Sequence, residues 1–420
     1  MFVVFDRLWY NAFLFKEDWG RMRIGIVRLS AFGDVVITAS MLGFFRNELE
    51  QLCGETICLE WFVDERFCGL LEDSSCIDVL HKLPMQSIKN LRNIKALWAR
   101  LRALGEYDVV LDMQGLIKSS LVGKALRSKY FVGFSFRGAR EGVASLCYTK
   151  CLDMAYDENI LVRNFALCTL GAYYAQCAKQ AKHSKQANDS KPYALASMHG
   201  KNIVLKAKEL AESSIFKTAL ALRTKSFGFD EKQALAQDLI ELAESGTAHS
   251  LHKILFVLEA SIREKTYPVA QFCTLAHAME QYLSAHSQKL AIYLIYHNNK
   301  QQADTLHAKL LAQNLCAYIL PKLDFNALKF VLSRMDCVIG GDTGVTHLAW
   351  ALGYSQVITL YGNALSTQGK NMRETKLARV LLGNPYVLSE SGKFEIASIE
   401  PNKILEVWKR DVLGDKISDV

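Results

Sequence analysis

Short apolar runs rich in Val, Ile and Phe alternate with helical patterns along the first half of the chain. Residues 23–28, 57–63, 77–80, 108–112 and 130–134 read as strands, and 35–48, 90–104 and 117–127 as helices between them. Strands that are apolar almost throughout are buried on both faces, so the pattern predicts a parallel sheet sandwiched by helices. From about 178 to 250 the chain turns to Ala, Lys, Ser and Glu and strand signals fade. Residues 181–191 are polar enough for a linker, and 231–244 read as an exposed helix. Alternation resumes at Lys253, with strands at 254–258, 290–296, 337–340 and 356–360. Helices are expected at 269–285, 301–312, 326–333, 345–352 and 401–410. The expected architecture is α/β: two Rossmann-like, doubly wound domains facing one another across a cleft.

The boundaries follow from these shifts: an extension at 1–21, a first domain at 22–177, a linker or insertion at 178–252, a second domain at 253–399, and a helix and tail at 400–420. Residues 1–21 are apolar in stretches, but Asp6, Arg7, Lys16, Glu17 and Asp18 break them up too often for a membrane span. Met22, directly before the first strand, reads as an alternative start.

Composition narrows the class of partner. With 420 residues, half of them hydrophobic, the chain can bury two cores. A net charge of +7 without a polybasic tail favours an anionic small molecule or membrane surface over nucleic acid. Eleven cysteines lack any metal-ligand spacing and read as reduced residues of a cytosolic protein, with no metal site expected.

Two turns carry the candidate chemistry. One is at 22–34 (MRIGIVRLSAFGD), the other at 337–348 (CVIGGDTGVTHL). Each is a buried strand, a Gly-containing loop with a carboxylate, then a helix. Free N–H groups and the helix dipole make such a terminus an anion site. Asp34 sits where ligands of open α/β sheets bind, and could serve as a base or merely as a helix N-cap. Asp342, Thr343, Gly344 and His347 form a richer set, with His347 one helical turn beyond Thr343. Lys265, in the loop after strand 254–258, could meet a phosphate as a point charge. Gln114 closes another strand, and Lys89, Arg92, Lys95, Arg137 and Arg140 could grip an anionic acceptor. The GxGxxG fingerprint of dinucleotide-binding oxidoreductases is missing.

Four segments, 22–34, 107–119 (YDVVLDMQGLIKS), 139–148 (AREGVASLCY) and 341–348 (GDTGVTHL), resemble in order the lipopolysaccharide heptosyltransferase I family, glycosyltransferase family 9. The resemblance covers roughly 22–175 and 253–410. It implies the GT-B fold, an acceptor-binding first domain, an ADP-sugar-binding second domain, and inverting transfer of heptose from ADP-heptose to the first Kdo of Kdo-lipid A. It makes Asp34 the catalytic base and Lys265 the lysine on the donor phosphates. Ser261, Leu323, Asp342, Thr343, Gly344 and His347 become donor-binding residues; Lys89, Arg92, Lys95, Gln114, Arg137 and Arg140 become acceptor-binding. No cofactor is implied. The expected location is cytoplasmic, peripheral to the inner membrane. The alternatives are a related transferase adding a later heptose or another sugar, or a non-catalytic sugar-nucleotide-binding protein. The chain departs from the family at 361–366 (YGNALS), where a Gly-Pro-Thr-like loop is usual, and in lacking a clear ribose-binding carboxylate, Asp304 being a weak candidate.

Overall fold

A computed structural model describes residues 21–54, 57–88, 90–183, 196–199, 201–230, 251–260, 265–362, 379–389 and 395–414. The first sheet holds β1 (Met22–Val27), β2 (Ile57–Asp64), β3 (Val79–Leu83), β4 (Tyr107–Asp112), β5 (Ser128–Phe134), β6 (Lys150–Asp153), β7 (Ala196–His199) and β8 (Asn202–Leu205). Their order is 3-2-1-4-5-6-8-7, parallel except for the β7–β8 pair. The second sheet holds β9 (Leu251–Val257), β10 (Lys289–Ile295), β11 (Cys316–Ile319), β12 (Cys337–Gly341), β13 (Gln356–Tyr361) and β14 (Tyr386–Leu388), in the order 11-10-9-12-13-14 and all parallel.

The helices are α1 (Phe32–Ala39), α2 (Leu42–Cys53), α3 (Leu91–Arg102), α4 (Ile117–Ala125), α5 (Ile160–His183), α6 (Ala207–Glu212), α7 (Ser214–Ala221), α8 (Val269–Ala285), α9 (Lys300–Leu311), α10 (Phe325–Ser333), α11 (Gly344–Leu352) and α12 (Pro401–Val407). Every residue of β2 is buried. That is what a strand covered on both faces requires.

Several expectations need correcting. The single helix at 35–48 is two, because the chain turns at Ser40 and Met41, where Ser40 Oγ donates back to Ile37 O at 2.7 Å. The strand expected at 77–80 begins at Val79, since Asp78 spends its carboxylate on Leu59 N (2.7 Å) and Arg46 (2.9 Å). Helix α5 escaped notice because it carries buried residues on every side and has no polar stripe. The stretch that lacked strand signals contributes β7 and β8, each of four residues, too short to print a pattern. The exposed helix read at 231–244 lies outside the described residues.

Residues 207–230 tie the two sheets together. Arg223 Nε donates to Trp350 O (2.9 Å), Ser226 Oγ accepts from Gly43 N (3.2 Å), and Asp230 N donates to Asn326 Oδ1 (3.0 Å). Lys329 on α10 is wholly buried and donates to Glu72 O at 3.1 Å; burial pushes its pKa down against the pull of Asp73, Glu72 and Asp324. One apolar cluster runs from Ile24 and Val36 through Phe216 to Leu255, Val338 and Trp350, so the two halves share a core. Among the described residues no helix is long and apolar enough to cross a membrane.

Candidate active site

Among the parallel strands of each sheet the order reverses at one place, beside β1 in the first and β9 in the second. Crevices beyond the carboxyl ends of strands at such points are where ligands of this architecture bind. The sequence builds both points from the turns singled out above.

At the first point the chain leaves β1 through Arg28, a buried guanidinium that donates to Met113 O (2.6 Å) and pairs with Asp34 Oδ2 (2.8 Å). Gln114 clamps the same loop: its Oε1 accepts from Leu29 N at 2.8 Å and its Nε2 donates to Ser30 Oγ at 3.3 Å. Gln114 is itself set by Asp112, which accepts from the amides of Gln114 (2.9 Å) and Gly115 (3.1 Å) and from Ser119 Oγ and Tyr148 OH. Burial raises the Asp112 pKa, and these four donors oppose the rise without cancelling it. Gly115 is left-handed at φ 68°, and a Cβ there would press on Ala139 and Arg140 at 3.3–3.4 Å. The loop after β5 is thereby docked against the end of β4.

Asp34 is not a helix cap. Ala31 occupies the N-cap of α1 without a side-chain bond, and Asp34 lies in the first turn. Its carboxylate is held by Arg28 from its own half and by Arg379 Nη1, at 3.0 Å, from the other.

At the second point Thr343 caps α11, accepting from Thr346 N at 3.4 Å. Asp342 precedes it. One carboxylate oxygen is bonded to Lys265 Nζ and lies 3.9 Å from Arg379 Nε; the other meets His347 Nε2 at 2.8 Å. His347 is buried, and its Nδ1 has no hydrogen-bond partner among the described residues. The helices meet through glycines: a Cβ on Gly33 would lie 2.8 Å from the His347 ring, and one on Gly344 would run into the Phe32 ring.

The cluster is thus Arg28–Asp34–Arg379–Asp342–Lys265, with His347 behind Asp342. Burial by itself would raise the pKa of Asp34, but Arg28 and Arg379 hold it far below the usual carboxylate range. For Asp342 burial likewise acts upward and is overcome by Arg379, His347 and Lys265. Three cations, Arg28, Lys265 and Arg379, therefore face two ionised carboxylates in a largely buried crevice.

The structure brings together Asp34, Lys265, Asp342, Thr343, Gly344 and His347, with Gln114 supporting the first loop. Arg92 and Lys95 are exposed on α3, and Arg137 and Arg140 are exposed in the loop after β5. Leu323 packs against Ala327 and Phe330. Asp304 is exposed, 3.9 Å from Lys300 on the same helix. Lys89 and Ser261 lie outside the described residues. Glu259, not singled out beforehand, accepts from the amides of His297, Asn298 and Asn299 (2.6–3.0 Å) and so shapes the loop after β10. Arg28 and Arg379 join the site as well. Arg28 had a signal, lying at the end of the first strand; Arg379 had none. Among the described residues no group of His, Cys, Asp and Glu side chains could hold a metal ion.

The sequence profile of glycosyltransferase family 9 (heptosyltransferase) matches residues 94–378. Lipopolysaccharide heptosyltransferase 1 of Campylobacter coli is 27% identical over 409 residues, 94% of this chain and all of that one. The Escherichia coli K12 protein of the same name is 25% identical over 169 residues, 39% of this chain and 51% of that one. Among solved structures, the E. coli heptosyltransferase WaaC with ADP superposes with a TM-score of 0.58 at 19% identity, covering 93% of this chain and 98% of that one. A family 9 glycosyltransferase from Veillonella parvula gives 0.63 at 13% identity, covering 94% and 98%. The fold shared with these proteins is GT-B.

Proposed function

The chain belongs to glycosyltransferase family 9, and from that premise we propose that it moves heptose, with inversion, from ADP-heptose to the first Kdo of Kdo-lipid A. The observation that carries this reading is the meeting of Asp34 with the Lys265–Asp342 pair and the N-terminus of α11.

Asp34 is the general base. It takes the proton of an acceptor hydroxyl as that oxygen bonds to the anomeric carbon of the heptose. The bond from that carbon to the diphosphate oxygen breaks, and ADP leaves with the electron pair. Charge then grows on the leaving diphosphate, where Lys265 and the first amides of α11 would meet it. Asp342 orients Lys265 and His347, and Thr343 keeps the helix terminus in place. This chemistry asks for no cofactor. Water excluded from the crevice would spare the donor from hydrolysis.

A lipid-linked acceptor fits the outer face of the first half. Leu91 and Leu146 are 75–76% exposed and Phe136 61%, and Arg92, Arg137 and Arg140 stand near them in sequence. Apolar side chains flanked by cations suit an anionic membrane surface, which supports peripheral contact with the inner membrane from the cytoplasmic side.

The test is mass spectrometry of Kdo-lipid A incubated with ADP-heptose and the protein, beside an Asp34→Asn control. A gain of one heptose, lost in the control, is the expected result. ADP-heptose binding without transfer would move the acceptor to a later sugar of the core, and no binding would overturn the donor.

A further inference from the structure

We propose that Arg379 is a donor-responsive latch: it covers the Asp34 carboxylate until the donor diphosphate draws it away, so that the base is released only when a sugar is in place to receive the acceptor. The proposal rests on the reading of the site given above.

The geometry singles out this arginine. Arg379 lies between the two switch points, with Nη1 3.0 Å from Asp34 and Nε 3.9 Å from Asp342. It is the one residue of the cluster that touches both carboxylates. Arg28 cannot play the part, because it is almost wholly buried and anchored on Met113 O. Lys265 is committed to Asp342, on the donor side alone.

The chemistry needs such a device. A carboxylate paired with two guanidinium groups is a poor proton acceptor, since a base works best when its pKa approaches the working pH. Among the described residues the groups facing Asp34 are Arg28, Arg379 and Asp342; Lys265, His347 and Tyr361 surround Asp342 in turn. Of the two cations on Asp34, Arg379 is the one beside the terminus of α11, where the diphosphate would bind. A dianionic diphosphate is a stronger bidentate partner for a guanidinium than a single carboxylate oxygen. Once Arg379 turns to it, Asp34 keeps Arg28 alone and regains basicity, while Arg379 neutralises the leaving group.

The experiment compares wild type, Arg379→Gln and Arg379→Lys in the full-length protein. Calorimetry with ADP should give about ten- to hundredfold weaker binding for R379Q and partial recovery for R379K. In wild type the acid limb of kcat should lie at higher pH than that of kcat/KM, because the donor complex has released the base. In R379Q the kcat/KM limb should rise by roughly 1–3 pH units and the gap should close. An arginine that stays on Asp34 throughout would give no gap in wild type, and its loss would move both limbs up together. The absence of a gap in wild type, or unchanged ADP affinity or an unmoved kcat/KM limb in a variant with wild-type melting, overturns the latch alone. If R379Q melts early, R379K decides by the same two readouts. Failure of the wild-type protein to bind ADP overturns the latch together with the donor reading.

Discussion

The two switch points use one backbone device for opposite ends. At the second, Thr343 caps α11, the carboxylate of Asp342 stands just outside the helix, and the terminus is left to receive negative charge. At the first, α1 has no side-chain cap, and Asp34 sits within the first turn as a negative charge already supplied. In the proposed function one helix end takes an anion; the other presents one. Asp342 is answered within its own half by Arg379, His347 and Lys265, whereas Asp34 is held by Arg28 of its own half and by Arg379 from the far side. The strand–turn–helix unit fixes where a charge stands, and the neighbouring cations decide what that charge can do.

The contrast can be broken at either end. Asp34→Asn should lower kcat about a thousandfold while ADP affinity, by calorimetry, stays within a few-fold of wild type. A parallel loss of ADP affinity would place Asp34 on the donor side. Lys265→Met should lower kcat about a hundredfold and weaken ADP binding as well. Retention of full ADP affinity would mean that Lys265 serves Asp342 only.

Smaller changes probe the joint between the helices. Gly33→Ala forces a methyl group against His347 and should cost about 1–3 kcal/mol in thermal denaturation. Pairing it with His347→Ala should recover part of that loss, and strict additivity would mean the two helices do not press on each other. Thr343→Ala removes the cap of α11 and should cost about 1 kcal/mol by urea unfolding. The same assay on Ala31→Ser, which offers α1 a cap it lacks, should move stability the other way by a comparable amount or less.

The sheets were legible because buried parallel strands print runs of Val, Ile and Phe, and the four-residue strands β6, β7, β8 and β11 were not because four residues carry no period. The turns at 22–34 and 337–348 were legible because glycine and a carboxylate before a helix have local meaning. What fills the space between them was not. One of the two arginine partners of Asp34 is 345 positions away, and no spacing rule connects a carboxylate to an arginine at that distance. Nor could sequence tell that Asp34 lies inside the helix and not at its cap, because that turns on where α1 begins.

The separation of 345 positions also has a meaning in time. A ribosome adding about 5–20 residues per second delivers Arg379 roughly 20–70 s after Asp34. Until Arg379 is made, Asp34 can pair with Arg28 of its own half, yet the crevice has no far wall. Sugar transfer is therefore a property that the polypeptide acquires only once both walls of the crevice have been made and brought together.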